Sequence, residues 1–347
     1  MKPGSRDRSP RTGAVIAPNW VGDAVMCLPA VVALRDAYPE CEWTVLARAA
    51  VAPVFRLARL GFNVAPLPAR WWRRLPRCPA ELAVVFPNSF HAATLACRLG
   101  ARRRVGYARD RRSWLLHPAV AVPQPGSIPG HESFYYLELL RGAGLIERLP
   151  EESAELRVRL HPDAQTASNW RQRLGGSAIV ALHVGATFGS AKRWLPERFA
   201  ELAAELAAGG AHVVLVGSSA ERDLARKVRM LAARPFEIKN LAGETTLPEL
   251  VALLSAVDVL VANDSGPMHL AGAVGTPVVA LFGSTNERET YPLTEAGKLR
   301  LLKVPGIACS PCKLRECPID HPCMTGIEVP TVLQAVNELM ATARARE

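Results

Sequence analysis

No uninterrupted apolar run in the 347 residues approaches the ~18 that a membrane-spanning helix needs, so no transmembrane segment is expected. No secretion signal is expected either. Lys2, Arg6, Arg8 and Arg11 precede an apolar stretch, but Pro18, Asn19 and Asp23 interrupt it and no small-residue cleavage site follows. Residues 1–11 read as a disordered basic tail. The motif G-x-G-x-x-G is missing after the first expected strand, which disfavours a dinucleotide dehydrogenase, and G-x-x-x-x-G-K-[ST] is missing, which excludes a P-loop. Acidic residues are the minority: 32 Asp and Glu face 42 Lys and Arg, a net charge of +10. That imbalance favours anionic partners such as a nucleotide or an anionic membrane face, while no nucleic-acid partner is expected. The remaining composition, 49% apolar and 21% charged, is that of a folded chain. At ~150 residues per domain the length suggests two domains.

Eight cysteines divide into two groups. Cys27, Cys41, Cys78 and Cys97 are scattered among apolar residues and read as small buried hydrophobes. Cys309, Cys312, Cys317 and Cys323 form C-x2-C-x4-C-x5-C, a spacing that is not a standard zinc ribbon and is stiffened by Pro311, Pro318 and Pro322. With a cytosolic compartment expected, disulfides are disfavoured there. Three readings stand: a structural zinc held by four thiolates, a reduced structural loop, and a disulfide or redox role.

Strand and helix patterns alternate in two arrays. The first expects strands at 14–17, 42–47 and 82–86, an edge strand at 102–107, and helices at 23–38, 51–60 and 90–99. The second expects strands at 179–184, 212–216, 238–241, 259–262 and 278–282, and helices at 196–208, 221–233, 248–256 and 267–274. The strands are β-branched runs without polar alternation, as parallel strands covered on both faces require. Two βα arrays imply two doubly wound α/β domains, assigned to residues 12–160 and 170–330, with a linker between 149 and 170 and a final helix at 331–347. Ligands of such sheets bind beyond the carboxyl ends of the strands, so a cleft between the two domains is the expected site.

Three strand-end constellations carry chemistry. In Asn19-Trp20-Val21-Gly22-Asp23, Asp23 is either a base held at the site or a helix N-cap whose ionised form the helix dipole favours. In 185–194, G-A-T-F-G-S-A-K-R-W, small residues next to Lys192 and Arg193 suit phosphate oxygens; the bland alternative is a solvated loop. In Asn263-Asp264-Ser265-Gly266-Pro267-Met268-His269, a strand meets a helix start, an anion site in waiting. Asp264 is placed to bind a ribose hydroxyl or hold the loop, and His269 to reach a phosphate. Glu221 reads as a ribose contact or a helix-start carboxylate, and the run Arg102, Arg103, Arg104, Arg109, Arg111 and Arg112 as a solvated face or an attractor of anionic acceptors.

Together N-W-V-G-D at 19–23, G-A-T-F-G-S-A-K-R-W at 185–194 and N-D-S-G-P-M-H-L-A at 263–271 resemble the lipopolysaccharide heptosyltransferases of glycosyltransferase family 9, with the motif variants looking closest to type II. R-R-V-G-Y at 103–107, H-E-S-F-Y-Y-L-E-L-L at 131–140 and C-M-T-G-I at 323–327 support the resemblance, which runs from about residue 13 to 335. It implies a GT-B fold of two Rossmann-like domains facing a cleft, and inverting heptose transfer from an ADP-heptose donor without a catalytic metal. The implied acceptor is a lipid A–Kdo–heptose, met by a cytoplasmic protein at the inner face of the inner membrane. By the same resemblance Asp23 matches the general base, Thr187 and Lys192 residues near the donor phosphates, and Asp264, Ser265, Gly266 and His269 the nucleotide-sugar loop. Glu221 matches a ribose-contacting acid and Thr245 a nucleotide-lining position. Phe188 stands where type I members carry a second threonine. The alternatives are a type I or III transferase, a nucleotide-sugar epimerase, or a non-catalytic nucleotide-sugar binder.

Overall fold

A computed structural model describes residues 9–67, 78–151, 153–175 and 178–344 and divides into two compact units, Met1–Leu156 and Arg157–Glu347. The first unit holds strands β1 (Thr12–Ile16), β2 (Glu42–Ala47), β3 (Asn63–Pro66), β4 (Leu82–Val85), β5 (Arg103–Tyr107) and β6 (Ala119–Val120). They form a six-stranded parallel sheet in the order β3-β2-β1-β4-β5-β6, with Val15 opposite both Val45 and Val84. Its helices are α1 (Val21–Met26), α2 (Leu28–Ala37), α3 (Ala52–Leu57), α4 (Phe90–Arg98) and α5 (Glu132–Gly142).

The second unit holds β7 (Ile179–His183), β8 (His212–Val216), β9 (Ile238–Asn240), β10 (Val259–Asn263), β11 (Val278–Phe282) and β12 (Leu299–Lys303). The sheet order is β12-β11-β10-β7-β8-β9, again parallel throughout. Its helices are α6 (Ala164–Leu174), α7 (Pro196–Ala208), α8 (Arg222–Leu231), α9 (Leu247–Ala256), α10 (Gly266–Val274), α11 (Glu287–Thr290), α12 (Pro322–Thr325) and α13 (Val329–Arg344). Every residue of β7, β10 and β11 is buried, which explains their unbroken apolar sequence. Trp194, Phe199, Leu202 and Leu206 cover one face of this sheet, with α13 packing there through Val332, Val336 and Leu339.

In both sheets the chain builds three strands outward and then returns to the other side of the first. The reversal falls between β1 and β4 and between β7 and β10. A reversal of this kind opens a crevice at the carboxyl ends of the two strands, where ligands of open α/β sheets bind. The loops after β1 and β4, and after β7 and β10, are therefore the ones that matter. No described helix is long and apolar enough to cross a membrane.

The structure corrects several expectations. The helix expected at 23–38 is two helices meeting at Cys27, because Pro29 has no N–H to donate back across the junction. The strand at 103–107 is internal, since β6 pairs beyond it. Helix α6 starts inside the expected linker. Of the four scattered cysteines, Cys27 and Cys41 are buried, but Cys78 and Cys97 are only partly so. Within the expected basic tail, residues 1–8 lie outside the described residues, while the Arg11 N–H donates to Glu81 Oε2 at 3.0 Å. The arginine run is not uniformly solvated: Arg112 is 0% exposed, held by the carbonyls of Tyr107, Pro87 and Ser89.

Candidate functional site

In the second unit, the loops following β7, β8, β9 and β10 gather the expected donor-site residues. Asn263, the last residue of β10, is fully buried and joins two of these loops. Its Oδ1 accepts from the Trp194 N–H at 2.9 Å, and its Nδ2 donates to the carbonyls of Val184 at 3.2 Å and Gly185 at 3.0 Å. The 185–194 loop is thus pinned at both ends. Lys192, on a short 3-10 turn (Ser190–Lys192), places Nζ 2.6 Å from Asp264 Oδ2, which also accepts from Thr285 Oγ1 at 2.7 Å. Side-chain exposures of 15% and 5% make this a largely desolvated ion pair, the kind that is costly to break by removing one partner. Asp264 therefore holds the loop and the cation together. The Lys192 ammonium also lies 5.1 Å from the centre of the Phe188 ring.

Ser265 is the N-cap residue of α10, yet its side chain makes no capping bond. Its hydroxyl donates to Asn263 O at 2.9 Å and lies 3.0 Å from His183 Nδ1. The first-turn amides of α10 are consequently uncapped by Ser265, and an uncapped helix start favours anions. Gly266 opens the helix and His269 lies buried in its first turn. Thr187 is exposed in the β7–α7 loop, and Thr245 is half-buried just before the N-cap of α9.

Glu221 closes a capping box with Ser218 at the start of the turn leading into α8. Its Oε2 accepts from the Ser218 N–H and Oγ, each at 2.8 Å, and its Oε1 lies 3.4 Å from His183 Nε2. Burial works to raise this carboxyl. The neighbouring His183 imidazole and the Ser218 donors outweigh burial and bring it down from 4.5 to about 2. Gly185 is required here, since a Cβ at that position would meet Glu221 Oε1 at 1.7 Å.

The cysteine-rich segment braces the same loop. Ala191 N–H donates to Arg315 O at 2.9 Å, and His321 Nε2 donates to Ala191 O at 2.8 Å. A Cβ on Gly189 would meet Arg315 O at 2.1 Å, so the two backbones touch. The expectation of a zinc at Cys309, Cys312, Cys317 and Cys323 is not supported: among the described residues no group of three or more His, Cys, Asp or Glu side chains is arranged to hold a metal ion. Cys323 is buried under Gly283, Cys312 and Cys317 are partly exposed and Cys309 is exposed. Burial, then the Cys309, Cys312 and Cys317 thiols, push the Cys323 thiol upward and keep it protonated. The segment is held by hydrogen bonds instead, including Ser310 Oγ to Gly283 O at 2.6 Å and Lys313 N–H to Ser284 O at 2.7 Å.

In the first unit, Asp23 is the third residue of α1, and the N-cap position belongs to Trp20. This aspartate is not the N-cap itself but a first-turn carboxylate, a position where the helix dipole still favours the ionised form. Asp23 is half-buried after β1, at the strand-order reversal. Burial, then the Asp23 charge, pushes the Tyr136 phenol and the Cys27 thiol well above their ordinary values. The carboxylate thus has two neutral neighbours that do not compete for a proton. On the adjacent β4 loop, Asn88 donates to Tyr135 Oη at 3.0 Å, and Tyr135 lies against the Tyr107 ring.

Sequence reasoning missed His183, Thr285, Arg315 and His321 as site-building residues, and it quoted Asn263 within a motif without giving it a role. A signal existed for two of them: His183 and Asn263 are polar residues ending otherwise apolar buried strands.

A family model described as glycosyltransferase family 9 (heptosyltransferase) matches residues 69–322. The chain belongs to glycosyltransferase family 9. It is 30% identical over 355 residues to lipooligosaccharide heptosyltransferase 2 of Haemophilus influenzae, covering 94% of this chain and 99% of that protein. It is 30% identical over 307 residues to lipopolysaccharide heptosyltransferase 2 of Escherichia coli, covering 82% and 86%. The solved structure of E. coli ADP-heptose LPS heptosyltransferase II superposes with a TM-score of 0.79 at 26% identity over 96% of this chain and 99% of that one. The architecture is the GT-B fold of the family, and the protein is a glycosyltransferase.

Proposed function

We propose that this glycosyltransferase moves heptose from ADP-L-glycero-D-manno-heptose to the heptosylated inner core of lipopolysaccharide, as a type II heptosyltransferase. The observation that carries the donor side is the Lys192–Asp264 pair beside the uncapped start of α10. A cation and a helix start that Ser265 leaves uncapped are held rigidly at a strand-order reversal, as a departing diphosphate requires. In this reading Ser265, Gly266 and His269 face the diphosphate, with Thr187 and Lys192 opposite them. Glu221 and Thr245 line the ribose side.

The reaction is a single displacement at the anomeric carbon. The acceptor hydroxyl attacks from the face opposite ADP, its oxygen forms the new glycosidic bond, and its proton passes to Asp23. The bond to the ADP oxygen breaks, and the growing charge on the diphosphate is met by Lys192 and the α10 amides. Conversion of ADP-heptose to ADP only when a heptosylated lipid A–Kdo acceptor is present supports this reading. Isomerised donor indicates epimerisation, and unchanged donor indicates binding alone; either result rejects transfer.

Peripheral contact with the inner face of the inner membrane belongs to the same proposal, because the acceptor is a lipid. The first unit supports it. Of its residues 1–156, 21 are Lys or Arg and 13 are Asp or Glu, so it carries +8 of the total +10. Phe90 and Trp114 are 48% and 73% exposed with ring centres 6.0 Å apart, and Trp114 follows the exposed Arg109 and Arg111 closely in sequence. Aromatic rings with neighbouring arginines suit the headgroup region of an anionic bilayer.

A further inference from the structure

His183 ends β7, the strand beside which the order of the second sheet reverses. Its ring is 2% exposed and has a polar neighbour on each nitrogen. Nδ1 lies 3.0 Å from Ser265 Oγ, on the loop after β10. Nε2 lies 3.4 Å from Glu221 Oε1, on the loop after β8. These loops flank β7 on opposite sides, so one imidazole spans the crevice floor between them. Glu221 Oε1 is buried without a standard hydrogen bond, so the imidazole contact is its main compensation.

We infer that His183 is a positioning residue that keeps the ribose side and the diphosphate side of the donor site in register. The inference rests on the ADP-binding reading of the second unit given above. Through Nδ1 the ring sets the direction of the Ser265 hydroxyl at the start of α10. Through Nε2 it sets the Glu221 carboxylate against Gly185, where a Cβ would have no room. Because both contacts depend on one ring plane, a rotation that relaxes one loosens the other. The ring acts through Ser265 and Glu221.

Two substitutions separate the contacts. Asparagine places an amide near the Nδ1 position without the reach of Nε2, and glutamine reaches toward Nε2 without a group at Nδ1. The experiment measures calorimetric binding of ADP, AMP and 2′-deoxy-ADP to full-length wild type, His183→Asn, His183→Gln and His183→Phe, with thermal unfolding of each. His183→Asn is expected to lose about tenfold of the preference for ADP over 2′-deoxy-ADP while keeping that for ADP over AMP, and His183→Gln the reverse. His183→Phe loses both preferences. Equal weakening of all three nucleotides in every variant, or shifts confined to the unfolding midpoint, overturns the positioning role. A wild-type protein that binds none of the nucleotides overturns the donor-site reading itself, and the inference with it.

Discussion

The two units share one topology and differ in what they hang on it. Each sheet runs three strands out and three back, with the reversal beside its first strand. In the second unit the reversal is filled by a connected set: Asn263 pins the 185–194 loop, Asp264 holds Lys192, and His183 joins Ser265 to Glu221. In the first unit the equivalent place holds a half-buried carboxylate beside a neutral phenol and thiol, with Arg112 buried among carbonyls nearby. The second unit is nearly charge-balanced, with 21 basic and 19 acidic residues, and the first is basic. One scaffold therefore carries a connected polar network in one unit and a half-buried carboxylate in the other, and the proposed division into anion cradle and proton acceptor places the chemistry in the loops and not in the sheet.

The sharpest way to break this division is Asp23→Ala. It is expected to lower transfer by about a thousandfold, the range of a lost general base, and to leave the Kd for ADP within about twofold. Loss of donor affinity with normal turnover at saturation places Asp23 in the wrong half of the comparison. Lys192→Ala is the counterpart in the second unit, with turnover falling by about a hundredfold, as for a lost transition-state donor. Stability also drops, since Asp264 stays buried without its cation while Thr285 Oγ1 still donates to it, but by less than turnover. An unchanged turnover number at saturating donor removes Lys192 from the chemistry.

Acid sensitivity sharpens the comparison further. The Glu221 carboxyl is depressed from 4.5 to about 2, so its contribution to stability is complete above pH 4.5 and is lost as the pH falls toward 2. That contribution is roughly 3 kcal/mol, and Glu221→Gln removes it from the pH profile. Denaturant unfolding of both proteins between pH 7 and pH 3 reads the difference; parallel profiles contradict the assignment. The smallest effect concerns the first unit's surface. Replacing Phe90 and Trp114 together by serine is expected to weaken binding to vesicles of 30% phosphatidylglycerol in phosphatidylcholine by roughly five- to tenfold. Equal co-sedimentation of variant and wild type moves the membrane contact elsewhere.

Much of the scaffold was legible because buried parallel strands announce themselves. Val278–Phe282 is apolar throughout, and Ile179–His183 and Val259–Asn263 are apolar up to their last residue. Pro196 and the paired glycines at 209–210 marked both ends of α7. The missed strands are those without that signature. β3 is four residues ending in Pro66, β6 has two residues, and β12 interleaves Arg300 and Lys303 among leucines at a half-buried edge. Among site residues, the chain order of motifs exposed Lys192 and Asp264 but not their pairing, which depends on β7 and β10 being neighbours. His183 was hidden for the same reason: its partners are 38 and 82 residues away and meet it only through strand order. The cysteine tetrad left three readings open because spacing reports ligand types and not their arrangement, and among the described residues no group is arranged to hold a metal ion.

Hydrogen–deuterium exchange of the full-length chain with and without ADP tests the division of labour most directly. Bound ADP is expected to slow exchange in peptides spanning 183–194, 217–221 and 263–269. Exchange unchanged in all three stretches while ADP is bound would contradict it.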